Sequence, residues 1–266
     1  MQSKRKGFFF VLSFVFLLSG ILKAEPDRLN WNEFGYTATK DFTTNLPSRM
    51  WNDSRTIFEK DENWIALLLA GGASVAMHNS NADDNVADNF ERHGVFNHDW
   101  DRVFDLAGNP GTHFAATGVW YFTSLSFKDD LNRERAWTMM TALSINGLIT
   151  VGLKAARDND TPNGKSWAWP SGHTSSSFTV ASVLDEFYGP KIGIPAYIAA
   201  STVAVRMMDS GDHWASDVVF GATLGWIVGH GVAGKYKEFE LAGFHPEPLT
   251  MIGEHPVTGI NFVKRF

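Results

Sequence analysis

The 266-residue chain contains no cysteine, which excludes disulfide bonds, thiolate-bound zinc and lipid attachment through an N-terminal cysteine. Positive charge is also scarce, because 23 lysines and arginines face 29 aspartates and glutamates and the net charge is −6. Nucleic-acid binding requires cations that neutralise phosphates, so the composition argues against a nucleic-acid partner. Any phosphate recognition must therefore depend on a local cluster of donors.

Long hydrophobic runs are missing as well. Charge-free stretches after the N-terminal segment reach about 18 residues and contain Asn146, Pro195 or His230, whereas a spanning helix needs about 20 apolar residues. We favour a water-soluble or peripherally bound helical bundle, and an integral membrane bundle stays open. No run of alternating polar and apolar residues indicates a strand before the tail, so we predict an all-α fold.

The N-terminus is typical of an export signal. Three basic residues at 4–6 precede an uncharged apolar stretch at 8–22, and a small residue, Ala24, ends the segment. We predict a signal peptide at residues 1–24, with cleavage after Ala24; an uncleaved membrane anchor is the alternative. The mature protein is expected to be periplasmic, or membrane-associated and facing the periplasm.

Four regions follow from the remaining pattern. Residues 25–62 are expected to form an irregular or partly helical lead-in, and residues 63–233 a helical domain. Residues 234–266 are expected to form a short extended tail, for which a short hairpin packed on the bundle is one arrangement. The segment 79–101 is rich in asparagine and aspartate, and we interpret it as a solvated loop because its spacing does not fit an EF-hand.

The stretch WPSGHTSSSF contains Ser171, Gly172 and His173 at the expected start of a helix. Exposed N–H groups at a helix N-terminus favour an anion, and a glycine lets the backbone approach it closely. A histidine at this position can protonate a leaving oxygen. The alternative is a capping loop with a surface histidine.

A second pattern places His213 and Asp217 four residues apart, on one face of a helix. The carboxylate can accept from one ring nitrogen and leave the other as a nucleophile or base. A surface His–Asp pair is the alternative. Lys154 and Arg206 would supply the cations for a phosphate site. The alternative is that both lie at the ends of apolar helices and only extend their charged groups into solvent.

Together, these segments resemble the type 2 phosphatidic acid phosphatase and haloperoxidase superfamily. Its pattern is a lysine, six residues and Arg-Pro; then Pro-Ser-Gly-His; then Ser-Arg, five residues, a histidine, three residues and an aspartate. The intact second block, the spacing of His213 and Asp217, and the position of Lys154 carry the resemblance, which covers roughly residues 110–232.

The resemblance implies a metal-independent phosphatase without a cofactor. His213 would attack phosphorus and form a phosphohistidine, Asp217 would orient His213, and His173 would protonate the leaving alcohol. The non-bridging oxygens would be held by four groups: Lys154, Ser171, the Gly172 amide and Arg206.

Two departures from the family pattern concern the cations. Thr161 stands where the family has arginine, and Arg157 or Lys165 are the candidate substitutes. Six residues rather than five separate Arg206 from His213, and a valine replaces the serine that normally precedes this arginine.

The predicted function is that of an exported phosphatase acting on a phosphate monoester, either a lipid phosphate or a small phosphate ester. Trp167 and Trp169 near the expected mouth of the site favour a lipid tail and membrane association. A non-catalytic anion- or lipid-binding relative is the main alternative, and a vanadium-dependent haloperoxidase is a less favoured one.

Overall fold

A computed structural model describes residues 31–234, 245–251 and 257–263, so the predicted signal peptide lies outside the described residues. From residue 31 to residue 234 the secondary structure is helical, which confirms the all-α prediction. The helices are α1 (Trp31–Lys40), a π-helical segment (Asp41–Asn45), α2 (Leu46–Phe58), α3 (Asp61–Asn79), α4 (Ala82–Arg92), α5 (His98–Gly108), α6 (Pro110–Ser126), α7 (Asp130–Arg157), α8 (Gly172–Tyr188), α9 (Pro190–Asp209) and α10 (Ala215–Val232).

The tail contains two antiparallel strands, β1 (His245–Met251) and β2 (Val257–Val263). Their register pairs His245 with Val263 and Met251 with Val257. The strands agree with the expected extended tail, and β1 lies beside α3.

The lead-in is helical from residue 31 to residue 58, so the helical alternative describes it and the irregular one does not. Ile57 of α2 is fully buried in the main core, together with residues of α7, α8 and α10. This part of the lead-in is therefore packed into the bundle.

The interpretation of residues 79–101 as a solvated loop is wrong, because α4 and the start of α5 occupy most of this segment. Asp83 and Asp84 lie in the first turn of α4, where the helix dipole stabilises a negatively charged carboxylate. Asn97 caps α5 by accepting a hydrogen bond from the Trp100 amide at 3.1 Å. The polar residues that suggested a loop therefore act as signals for helix N-termini.

Within the described residues, α7 is the one helix that is long and apolar enough to cross a membrane. Much of it is buried against its neighbours, including Leu143 and Ile145. The central helix of a bundle has the same length and composition, so this observation is weak support for a membrane span.

Helices α8 and α10 pack closely along Gly221, Gly225 and Gly229, which recur every four residues on α10. A Cβ atom on Gly225 would lie 2.1 Å from the carbonyl oxygen of Ser175, and one on Gly221 would lie 2.8 Å from that of Ser171. The two helix backbones are therefore in direct contact. This contact holds the N-terminal ends of α8 and α10 side by side.

A carboxylate from α4 fixes the start of α10. The side chain of Asp83 is buried and accepts hydrogen bonds from the backbone N–H of Ser216 at 2.9 Å and from its hydroxyl at 2.6 Å. The carboxylate thus satisfies a donor that has no partner within the helix.

We expect Gly225→Ala to destabilise the fold by about 1–3 kcal/mol, because the added methyl group must separate two backbones that are in contact. Gly72→Ala on α3 is the control, since a Cβ atom there meets no atom within 4 Å. That change should be neutral or stabilise the protein by up to about 1 kcal/mol. Urea unfolding measures both, and equal stability of the Gly225 variant and the wild type would contradict the packing described.

Candidate active site

The N-terminus of α8 carries the Pro-Ser-Gly-His motif. Ser171 is the fully buried N-cap residue, and its hydroxyl oxygen accepts from the Thr174 amide at 3.3 Å. The Ser171 amide donates to the carbonyl oxygen of Asp217 at 3.1 Å, which joins the starts of α8 and α10. Gly172 is the first residue of α8, so its N–H has no acceptor within the helix. The phosphate-binding roles of Ser171 and Gly172 stay predictions.

His213 and Asp217 are in contact as predicted, but not on one helix face, because α10 begins at Ala215 and His213 lies in the turn before it. The His213 Nδ1 atom lies 3.3 Å from Oδ2 of Asp217, and both side chains are buried. The same carboxylate oxygen accepts from the Trp214 amide at 2.9 Å, so the carboxylate is fixed to the backbone of the turn. Because Nδ1 faces the carboxylate, Nε2 is the ring nitrogen left for another partner.

His173 lies in the first turn of α8, and its Nε2 atom is 3.5 Å from Oδ1 of Asp105 on α5. Burial lowers the pKa of His173 and Asp105 raises it, while the charges of His213 and Arg206 lower it further. The two predicted catalytic histidines, from different segments, are therefore within electrostatic range of each other.

Lys154, near the C-terminal end of α7, reaches the loop that precedes α8. Its Nζ atom donates to the carbonyl oxygens of Trp167 and Ala168, the second at 3.1 Å. Burial lowers the pKa of Lys154 to about 8, and the carboxylate of Asp217 acts in the opposite direction. The lysine therefore lies near the His213–Asp217 pair, as the resemblance implies.

Arg206 is held by three carboxylates. Its Nε atom is 2.7 Å from Asp101, and its Nη1 atom is 3.0 Å from Asp105 and 2.9 Å from Asp212. The arginine side chain is only 8% exposed. The sequence predicts a phosphate ligand here, and the structure adds a set of acidic partners that the motif does not contain.

Comparison with known proteins identifies the segment that carries most of these groups. Residues 150–239 match the PAP2 superfamily model. The match is to the family that the motifs predict. It includes Lys154, His173, Arg206, His213 and Asp217, and it confirms the resemblance.

Two relatives extend the comparison beyond this segment. A lipid A 1-phosphatase from Porphyromonas gingivalis is 30% identical over 106 residues, which cover 36% of this chain and 24% of that protein. This chain thus spans about a quarter of the length of that curated relative. The transmembrane PAP2-type phosphatidylglycerolphosphate phosphatase from Bacillus subtilis aligns in structure over 70% of this chain and 100% of that one, with a TM-score of 0.56 and 17% identity, which shows a shared fold.

The acidic partners of Arg206 lie mainly outside the PAP2 match, and sequence reasoning missed them. Asp101 and Asp105 are one turn apart on α5, so both face α9. Their i, i+4 spacing was the available signal, but it is meaningful only once the segment is recognised as a helix.

A buried histidine on α6 was also missed. Burial lowers the pKa of His113 to about 4, a hydrogen bond with the backbone of Ala107 raises it, and the charge of His173 lowers it. The site therefore includes a third imidazole, which is neutral at physiological pH.

The extra residue of the third PAP2 block is accommodated in a turn. Helix α9 ends at Asp209, and Gly211 follows with a φ of 68°, a conformation that glycine adopts without strain. The turn presents Asp212 to Arg206. Burial raises the pKa of Asp212, but hydrogen bonds from Lys165, Ser210 and Asn163 hold it at about 2.

Thr161 replaces the PAP2 arginine and stabilises a turn instead of supplying charge. Its hydroxyl accepts from the Lys165 amide at 2.9 Å and donates to Oδ1 of Asn163 at 2.7 Å. Both atoms of the hydroxyl are thus used within the loop between α7 and α8.

The structure brings neither candidate substitute cation directly to the two histidines. The Lys165 ammonium group is 2.7 Å from Asp212 and reaches the site only through that carboxylate and Arg206. The Arg157 guanidinium lies over the ring of Trp169, 5.3 Å from its centre. The replacement of the missing arginine by either residue stays a prediction.

The lowered pKa of Lys154 has a measurable effect on stability. The folded state disfavours the protonated amine, so the free energy of unfolding should rise as the pH increases from about 8 to the ordinary lysine value of 10.5. Lys154→Met should lack this rise. Urea unfolding of both proteins across this pH range measures it, and parallel stability profiles would contradict the burial of the amine.

Proposed function

We propose that this chain is a PAP2-type phosphatase that releases inorganic phosphate from a lipid phosphate through a phosphohistidine intermediate. The observation that carries the proposal is the buried His213–Asp217 pair at 3.3 Å, joined to the N-terminus of α8 by the Ser171–Asp217 backbone hydrogen bond. The family match supports the activity, and the roles of individual residues extend beyond it.

In the proposed first step, Nε2 of His213 attacks phosphorus while the bond from phosphorus to the ester oxygen breaks. The protonated ring of His173 gives its proton to the departing oxygen, which leaves as an alcohol. In the second step, water attacks the phosphohistidine and His173 accepts the proton of that water. Phosphate and the neutral His213 are regenerated, and the chemistry requires no metal.

The phosphate oxygens would be stabilised by the Gly172 N–H, the Lys154 ammonium group and Arg206. In the part of the chain that the structure describes, the carboxylate contacts of Arg206 use Nε and Nη1. We assign the remaining nitrogen, Nη2, to the phosphate. Ser171 would contribute by holding the start of α8, where its hydroxyl is the N-cap.

Exposed apolar groups near the site support a lipid substrate. The side chain of Trp167 is 46% exposed, while its carbonyl oxygen binds Lys154. Aromatic rings with one polar end are common where a protein meets a membrane interface. Large exposed apolar residues also occur on α3, α6, α7 and α9: Leu68, Val119, Leu148 and Ile198.

Both named relatives act on phosphorylated lipids according to their descriptions, which agrees with this substrate class. We propose that the enzyme acts at a membrane and that it faces the periplasm after export through residues 1–24. Mass determination of the mature N-terminus tests the export step.

The activity test compares phosphatidic acid, lysophosphatidic acid and an aryl phosphate as substrates for the purified protein. We expect phosphate release from the lipids, and we expect His213→Ala to reduce it to background because the nucleophile is removed. His93→Ala is the control, since this exposed histidine follows α4 and its Nδ1 atom lies 3.3 Å from the carbonyl oxygen of Asn89 on that helix. Undiminished turnover by the His213 variant would contradict the mechanism.

The intermediate can be examined with substrate labelled at phosphorus. A phosphohistidine should give label that stays on the protein in alkali and is lost in acid, and His213→Ala should carry none. Label on the His213 variant would place the intermediate on another residue.

A non-catalytic anion-binding protein is the second candidate, and two observations favour it. Arg206 already has three acidic partners, and the PAP2 arginine is replaced by Thr161. Binding of phosphate or vanadate without turnover of any substrate in the panel would support this candidate.

A further inference from the structure

Asp105 connects two groups that the proposed function uses separately. Its Oδ1 atom lies 3.0 Å from Nη1 of Arg206 and 3.5 Å from Nε2 of His173. The aspartate belongs to α5 and is outside the 150–239 match, so the family motifs assign it no role.

The distance to His173 is longer than a hydrogen bond, and the contact is electrostatic. Catalytic contacts of this kind often shorten when substrate binds. The side chain of Asp105 is 47% exposed and that of His173 is 24% exposed, so solvent reaches both.

Several charged or titratable groups surround His173, and they act on its charged form in both directions. They are Asp105 of α5, His113 of α6, Arg206 of α9, and Asp212 and His213 of the turn before α10. Burial, His213 and Arg206 lower the pKa of His173, whereas the carboxylates of Asp105 and Asp212 raise it. Asp105 has the larger effect of these two carboxylates, and Asp212 is also shared with Lys165.

We propose that Asp105 is a positioning residue that orients the ring of His173 and keeps it in its charged form for proton transfer to the leaving oxygen. The inference rests on the proposed function, because it gives His173 the role of proton donor. The site would then contain two His–Asp pairs, one that prepares a nucleophile and one that prepares a proton donor. In the His213–Asp217 pair the carboxylate faces Nδ1 and leaves Nε2 free to attack. In the His173–Asp105 pair the carboxylate faces Nε2 and stabilises the charged ring, and the proton for the leaving oxygen comes from Nδ1.

Asp101 provides a matched control on the same helix. Its carboxylate contacts Nε of Arg206 at 2.7 Å, as Asp105 contacts Nη1, but it makes no described contact with His173. Neutralising either aspartate removes one of the ion pairs that fix the position of Arg206. Only the change at Asp105 removes the charge beside the imidazole.

The first experiment measures kcat/KM against pH for Asp105→Asn and Asp101→Asn. An opposite charge within about 4–6 Å raises the pKa of a histidine by about 1–3 units. In the wild type, kcat/KM should fall with rising pH as His173 loses its proton. We expect this fall to occur at least about one pH unit lower in Asp105→Asn, so that at higher pH the variant has about a tenfold lower kcat/KM. Asp101→Asn should keep the wild-type position of this fall, whatever its effect on the rate, and Asp105→Glu should restore it.

The second experiment does not require turnover. The ring of His173 is titrated by NMR in the wild type and in Asp105→Asn, and its signal is assigned by its loss in His173→Gln. We expect the ring to lose its proton at lower pH in the Asp105 variant. Identical titrations would overturn the inference even if the protein is a phosphatase, whereas a shifted titration in a protein that turns over no substrate would count against the proposed function alone.

Discussion

Direct backbone contact between α8 and α10 is the constraint on which the site depends. Glycines at 221, 225 and 229 leave room for the carbonyl groups of α8 to approach, and any side chain there would overlap them. The contact sets the N-terminal ends of the two helices next to each other, and the Ser171–Asp217 hydrogen bond fixes their relative position. Two segments some 40 residues apart in sequence thereby bring two imidazoles, His173 and His213, within electrostatic range of each other beside the N-terminus of α8.

Charge balance is the second feature that organises the site. The chain as a whole is acidic, yet two cations lie in the site. Backbone carbonyl oxygens fix the position of Lys154, and carboxylates fix that of Arg206. Burying a cation is costly unless it is paired, and the carboxylates on α5 and in the turn after α9 provide the pairing for Arg206. In the proposed mechanism, the same carboxylates would compete with a phosphate for the guanidinium group. This competition, together with Thr161, distinguishes the site from the family pattern.

The local parts of the site could be predicted from sequence because they depend on short spacings. The capped start of α8 and the contact of His213 with Asp217 follow from residues three or four apart. The all-α class follows from the absence of alternating runs. Two of the three carboxylate partners of Arg206, Asp101 and Asp105, could not be predicted in this way, because they come from about a hundred residues earlier in the chain. The interpretation of that segment as a loop also concealed the i, i+4 spacing of Asp101 and Asp105, and the use of Lys165 by Asp212 depends on tertiary contacts alone.

The central claim is that one tetrahedral oxyanion binds between the starts of α8 and α10. A crystal structure of the protein soaked with vanadate tests it most directly, since vanadate has the shape of phosphate. We predict vanadate bonded to Nε2 of His213, with its oxygens in contact with the Gly172 N–H and the Lys154 ammonium group. Vanadate bound elsewhere, or a site that stays empty at a vanadate concentration that inhibits activity, would contradict the account.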